Sequence, residues 1–252
     1  MNEIDFYGRP LGLGNRFVQI IRLEAICARH EIRCNYFWNN YTGRACRKYN
    51  ILIKSDKVKI IESPTCERLP VGIQMVRALP HATSDVWMSL SQKELFTAAK
   101  KLRPLFDVAF ENDIRPIGVH IRGTDRIRGP ECTRPHYAAG IKEFDSFLYK
   151  TASAINKQKF EHVFVCADDE QYRQKFIDAL DDKTVVCNPT CDNAPDYYRD
   201  FFALTLCRKI FLASKFSSFS ICASLIGNIP IVLSAKVRKS EKIWKACFEV
   251  ME

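Results

Sequence analysis

Three side chains in one short run have the types and spacing to hold a negatively charged ligand: His120, Arg122 and Asp125, within PIGVHIRGTDRIRGPE from Pro116 to Glu131. A guanidinium offers a rigid fork of donors that matches a phosphate. Ile117, Val119 and Ile121 alternate as in a strand; Gly123, Thr124 and Asp125 break it, and Gly129-Pro130 turns the chain again. The three polar residues therefore fall at a strand's carboxyl end, where open α/β sheets place their ligands. The plain alternative is a solvated edge strand with an ordinary Arg122–Asp125 salt bridge.

Two other stretches carry related chemistry. Gly8-Arg9-Pro10-Leu11-Gly12-Leu13-Gly14-Asn15-Arg16 joins a short strand, Glu3 to Tyr7, to a helical pattern through Phe17, Ile20, Ile21, Glu24, Ala25 and Ala28. A glycine-rich turn of this kind lets backbone amides and a helix dipole face an anion, although glycines also serve packing. Further on, Ser217-Ser218-Phe219-Ser220 opens a helix running through Ile226, after a strand at Lys209 to Ala213.

The elements that must position these residues alternate. The first half reads as strands at Arg33 to Trp38 and Val58 to Ile61, with a further short one at Val71 to Met75. A capping box at Ser91-Gln92-Lys93-Glu94 starts a helix through Leu95, Ala98, Ala99 and Leu102, which Pro104 should kink or restart. After the central strand come a helix marked by Ile141, Phe144, Phe147 and Leu148, and a buried-type strand at His162 to Ala167. A helix with Tyr172, Phe176 and Leu180, a strand at Thr184 to Cys187 and a helix over Tyr197 to Leu206 follow. The chain closes with a strand at Ile229 to Leu233 and an expected helix over Glu241 to Val250. Such alternation means parallel, doubly wound sheets. The proposed boundary divides an N-terminal domain, 1–110, from a C-terminal domain, 111–252.

Composition is that of an ordinary globular protein of 252 residues, with 47% hydrophobic and 27% charged residues. The opening MNEIDFYG has neither a basic n-region nor an apolar h-region, so no signal peptide is expected. Nor does any apolar run approach the roughly 18 residues of a membrane helix. Asn40-Tyr41-Thr42 is a glycosylation sequon that carries no weight without a secretory signal. The 11 cysteines form no CxxC pairs, which argues for reduced thiols, and Cys187 with Cys191 makes a poor zinc site. A net charge of +9 suits an acidic partner, whether a nucleotide, a nucleic acid or an anionic membrane surface. The aromatics are not interleaved with Arg and Lys as on a stacking platform, so no nucleic-acid partner is expected.

Taken together, the motifs resemble those of the GDP-fucose-dependent fucosyltransferase superfamily, closest to its α1,6 and nodulation types. Gly12-Leu13-Gly14-Asn15-Arg16 is similar to the N-terminal glycine loop, and His120-Ile121-Arg122-Gly123-Thr124-Asp125 to the H-x-R-x-x-D motif. Asp200 followed by Ser217-Ser218-Phe219-Ser220 is similar to the last motif. The chain departs from the α1,6 subgroup in having Arg122-Gly123 where two arginines are usual.

The resemblance implies an α/β protein of GT-B fold, two Rossmann-like doubly wound domains facing a central cleft, the first on the acceptor side and the second binding the nucleotide sugar. It implies an inverting, metal-independent transferase moving fucose from GDP-fucose to a glycan or glycolipid hydroxyl. Gly12, Gly14, Asn15, Arg16, Arg122, Ser217, Ser218 and Phe219 would hold the donor, while His120 and Asp200 would recognise guanine. Inversion needs a carboxylate to take the acceptor's proton; Glu131 is the first candidate and Asp125 the second. Asp168, at a strand end, either touches the donor or caps the following helix through Gln171, the simpler reading. The expected setting is cytoplasmic, with peripheral membrane contact for a lipid-linked acceptor. The alternatives are another nucleotide sugar, or a non-catalytic nucleotide- or nucleic-acid-binding protein.

Overall fold

The computed structural model describes residues 3–8, 12–38, 50–62, 90–123, 141–214, 217–233 and 248–250. The chain divides into two compact units, Met1–Phe106 and Asp107–Glu252. Of the sequence expectations, Asn40, Val71 to Met75, Thr124, Asp125 and Glu131 lie outside the described residues.

The first unit has a parallel three-stranded sheet, β1 (Glu3–Tyr7), β2 (Arg33–Trp38) and β4 (Val58–Glu62), in the order β1-β2-β4. Helix α1 (Leu13–Arg29) buries Leu13, Phe17, Ile20, Ile21 and Ile26, an apolar stripe at helical spacing. Glu24 falls on the same stripe and is buried. Its carboxylate accepts from the Ser55 hydroxyl at 2.5 Å and the Lys57 amide at 2.8 Å. The two bonds offset the cost of burying a charge. They also fasten α1 to the turn after β3 (Ile53–Lys54).

Helix α2 (Gln92–Ala99) begins at the capping box the sequence announces, with Ser91 and Glu94 bonded reciprocally. Pro104 does not lie in this helix. The helix has ended by Lys100, and Pro104 sits in β5 (Arg103–Pro104), paired antiparallel with β3. A residue before proline is pushed out of the α region, which favours ending the helix early over kinking it.

Glu94 also receives two bonds from Arg29, at 2.7 and 2.8 Å, and so joins the start of α2 to the end of α1. The Arg29 guanidinium and the Ser91 donors hold the Glu94 carboxyl at about 2, well below the ordinary value. A depressed carboxyl stabilises the fold above the unfolded-state value, and that stability is lost as pH falls through the folded one. The pair is about one-third exposed, so solvent screens it. Glu94→Gln should therefore destabilise the fold by about 1 kcal/mol at pH 7. Urea melts should show the gap from wild type intact above about pH 5 and closing as pH approaches 2.

The second unit is built on six parallel strands: β7 (Ile117–Ile121), β8 (His162–Ala167), β9 (Val185–Val186), β11 (Lys209–Leu212), β12 (Ile231–Leu233) and β13 (Phe248–Val250). Across the sheet they run β13-β12-β11-β7-β8-β9. In chain order this is 3-2-1-4-5-6, the doubly wound Rossmann arrangement, whose order reverses between β7 and β11. A small antiparallel pair, β6 (Val108–Ala109) with β10 (Thr190–Cys191), lies outside that sheet.

Strand β13 corrects the end of the expected closing helix, whose earlier residues, 241–247, lie outside the described ones: Phe248–Val250 pairs in parallel with β12 at the edge of the sheet. The segment is too short for period to decide, and an open ladder beside β12 overrides its local preference.

Every residue of β7 is buried, and its pleat sorts the side chains. Ile117, Val119 and Ile121 join Phe144, Leu148 and Ile155 of α3 (Ile141–Gln158) and Phe176 of α4 (Glu170–Ile177) in one core. Gly118 and His120 face the opposite layer, α5 (Asp196–Leu206) and α6 (Ser218–Gly227). A Cβ on Gly118 would stand 2.9 Å from Leu204 and 3.0 Å from Cys207, so glycine allows α5 to lie directly on β7. Among the described residues no helix is long and apolar enough to cross a membrane.

Candidate functional site

The reversal of strand order between β7 and β11 leaves a crevice at their carboxyl ends, the usual ligand position in such a sheet. His120 pairs in register with Leu212 of β11 and Cys166 of β8, so it stands at that place. It is 5% exposed. A buried imidazole without partners costs about 1–3 kcal/mol, and here one ring nitrogen is answered: Nδ1 and the Ser220 hydroxyl share a short hydrogen bond. The ring also lies 5.1 Å from that of Phe219, which meets Phe201 of α5 edge-on at 5.0 Å. These contacts set the orientation of His120 from α6.

Helix α6 starts in the same place. Ser217 is its N-cap residue, yet its side chain makes no capping bond. The hydroxyls of Ser217 and Ser214 are buried and have no hydrogen-bond partner among the described residues. Leaving a buried hydroxyl unanswered costs free energy. Two of them beside the positive end of a ten-residue helix, whose first amides have no partner within the helix, make a place for an anion. Ser218 and Phe219 keep part of their surface exposed.

Arg122 follows β7 directly and is half-buried. The backbone just after it is fixed: the Gly123 amide donates to Asp168 Oδ1 at 2.7 Å. A Cβ on Gly123 would come within 2.8 Å of Tyr172 and 3.2 Å of Phe144, so only glycine fits without displacing those rings. This corrects the reading of Asp168. The helix is capped by its neighbour Asp169, whose carboxylate accepts from the amides of Gln171 and Tyr172, while Asp168 holds the loop carrying Arg122. With two adjacent aspartates, spacing alone does not say which one caps.

Asp200, on α5, has 19% of its side chain exposed. Burial pushes its carboxyl up, and Arg199 opposes that shift. Arg199 Nε and a terminal nitrogen both reach Asp200 Oδ1 at 3.0 Å. Cys166 lies close to Asp200 and Asp168. Burial drives its thiol well above the ordinary range, so it is protonated at neutral pH and unfit as a nucleophile.

Five of the residues singled out in sequence, His120, Arg122, Ser217, Ser218 and Phe219, thus gather at one crevice, with Asp200 on the helix beside it. Asp125 and Glu131 lie outside the described residues, and Gly12, Gly14, Asn15 and Arg16 belong to the first unit. Helix α1 begins at Leu13, so Gly14, Asn15 and Arg16 form its first turn and not a loop, with Gly12 as N-cap residue. Gly12 and Asn15 are exposed and Gly14 is buried. Arg16 is fully buried, its guanidinium 4.6 Å above the Trp38 ring. Sequence reading passed over Ser214 and Arg199, and quoted Ser220 within its motif without giving it a partner. Ser220 meets His120 from 100 positions away, a pairing that no local pattern announces.

No protein-family model and no curated protein sequence matches the chain. Solved structures do. POFUT1 in complex with GDP aligns with a TM-score of 0.56 over 93% of this chain and 98% of its own, at 12% identity. POFUT1 in complex with GDP-fucose aligns at 0.54 over the same shares, at 11% identity. NodZ alpha-1,6-fucosyltransferase co-crystallised with GDP aligns at 0.51 over 91% of this chain and 93% of its own, at 13% identity. At such identities the likeness is one of fold. The chain has the GT-B fold of these fucosyltransferases.

Proposed function

We propose that this chain is an inverting glycosyltransferase that moves fucose from GDP-fucose to a hydroxyl of a glycan or glycolipid. One observation carries the reading. At the strand-order reversal, two buried hydroxyls with no partner among the described residues and a helix N-terminus meet the strand end that bears Arg122, and this is the chemistry a diphosphate requires. The solved structures of this fold that hold GDP or GDP-fucose support the choice of nucleotide.

The second unit is the donor domain in this reading, and the first, with Gly12, Gly14, Asn15 and Arg16 at the start of α1, is the acceptor-side domain. As the bond from sugar C1 to the β-phosphate oxygen breaks, charge grows on the diphosphate. Arg122, Ser217, Ser218 and the amides opening α6 stabilise it. The acceptor oxygen attacks C1 from the opposite face and forms the new glycosidic bond. Its proton passes to Glu131, or to Asp125, and GDP departs. Asp200 reads the N1–H and N2–H of guanine, and His120, held by Ser220, fixes the nucleoside.

A hydrolysis assay over GDP-fucose, GDP-mannose and UDP-glucose tests the donor. GDP-fucose should be turned over fastest; preference for either other sugar nucleotide would overturn the assignment. Activity should also survive excess EDTA, because the guanidinium and the helix-end amides replace a cation at the diphosphate. Loss with EDTA and recovery with Mn²⁺ or Mg²⁺ would contradict that. The acidic donor and a lipid-linked acceptor fit the net charge of +9 and a cytoplasmic enzyme working at a membrane surface.

A further inference from the structure

Asp200 is asked to accept from two N–H groups of a base, yet it sits where burial favours its neutral form. A protonated carboxyl would present a donor where the guanine edge also presents donors. What answers this is its neighbour in sequence. Arg199 places Nε and a terminal nitrogen on Asp200 Oδ1, both at 3.0 Å, while its other terminal nitrogen is anchored 2.9 Å from Asp196 Oδ1. No described residue donates to Asp200 Oδ2. We propose that Arg199 is a positioning residue for nucleotide selection: it clamps Oδ1 so that Asp200 stands as an oriented carboxylate with Oδ2 left to the base. This inference rests on the GDP-sugar reading above.

The remaining charges around Asp200 do not supply the same hold. Asp196, on α5, is 83% exposed and of like sign, so it opposes ionisation. Arg173, on α4, favours the charged form from a distance, but its own bonds go to the Val165 carbonyl, Glu170 and Asn188. Cys166, on β8, is a neutral thiol, with Asp168 beyond it. Helix α6 carries no charged residue at all. Arg199 is thus the only described cation bonded to Asp200.

The test is the pH dependence of GDP binding, measured by calorimetry between pH 5.5 and 8.5 on wild type, Arg199→Ala and Arg199→Lys. Wild type should bind with nearly constant Kd through this range. Arg199→Ala should bind within a few-fold of wild type at pH 8.5. Its Kd should then rise toward about tenfold per pH unit as the carboxyl, freed of its partner, protonates. Arg199→Lys keeps a cation and should flatten the profile again. A variant that merely loosened the helix would lose affinity evenly with pH and would not be rescued by lysine.

Arg199 is about one-third exposed, and thermal melts establish that each variant is folded. If wild type binds no GDP at any pH, the functional reading fails and this role goes with it. If wild type binds GDP and Arg199→Ala is equally flat, or weak to the same degree at every pH, the inference alone is overturned.

Discussion

Arg122→Ala should lose both GDP affinity and turnover. A charge-assisted hydrogen bond to a diphosphate oxygen contributes roughly 1.5–3 kcal/mol to binding. Loss of a donor aimed at charge that grows in the transition state typically costs about 10²–10³ in rate. Arg122→Lys should recover little, because an ammonium cannot reproduce the bidentate fork. The fold should hold, since Arg122 is half-buried at a strand end and is not part of the core beneath it. Its loop has its own restraint in the Asp168–Gly123 bond. Calorimetry with GDP and initial rates with GDP-fucose read the two effects separately. An Arg122→Ala enzyme that binds GDP normally would remove the crevice from the donor site.

Glu131→Gln should separate chemistry from binding. The substitution preserves size and polarity but cannot accept a proton, so transfer should slow by around 10²–10⁴ while GDP affinity stays near wild type. Glu131 is assigned by its place after the HIRGTD run, outside the described residues. Rate is therefore its test. Transfer at the wild-type rate would move the role to Asp125, for which Asp125→Asn is the matching variant.

Much of the fold was legible because parallel strands are covered on both faces and read as short apolar runs. HVFVCA and KIFLA announce β8 and β11 with no structure at hand, and the Ser91–Glu94 capping box marks the start of α2. The alternation of these runs with amphipathic stretches yields a doubly wound sheet. What it does not yield is strand order. The position of β11 beside β7, across the intervening α3, β8, α4, β9, β10 and α5, brings His120 to Ser220 and to the serines that have no partner among the described residues.

The misreadings share a cause. Pro104 and Phe248–Val250 follow a neighbouring strand in place of their local preference. Asp168 and Asp169 exchange roles because capping depends on backbone geometry that two adjacent aspartates satisfy equally well on paper. The polar site residues had a real signal, their places at strand ends. Arg199 had none: an arginine beside an aspartate on a helix is ordinary until burial makes the aspartate's ionisation costly.

Thermal stability under nucleotide titration reads out whether the crevice between β7 and β11 takes a guanosine diphosphate. A ligand at about 100 times its Kd stabilises the folded state by about 2.7 kcal/mol, enough to raise the melting temperature by a few degrees for a protein of this size. GDP should produce that rise in wild type and not in Arg122→Ala, and UDP and a random oligonucleotide should leave both unchanged. A rise with UDP and none with GDP, or with the oligonucleotide alone, would mean that the crevice is not a guanosine diphosphate site.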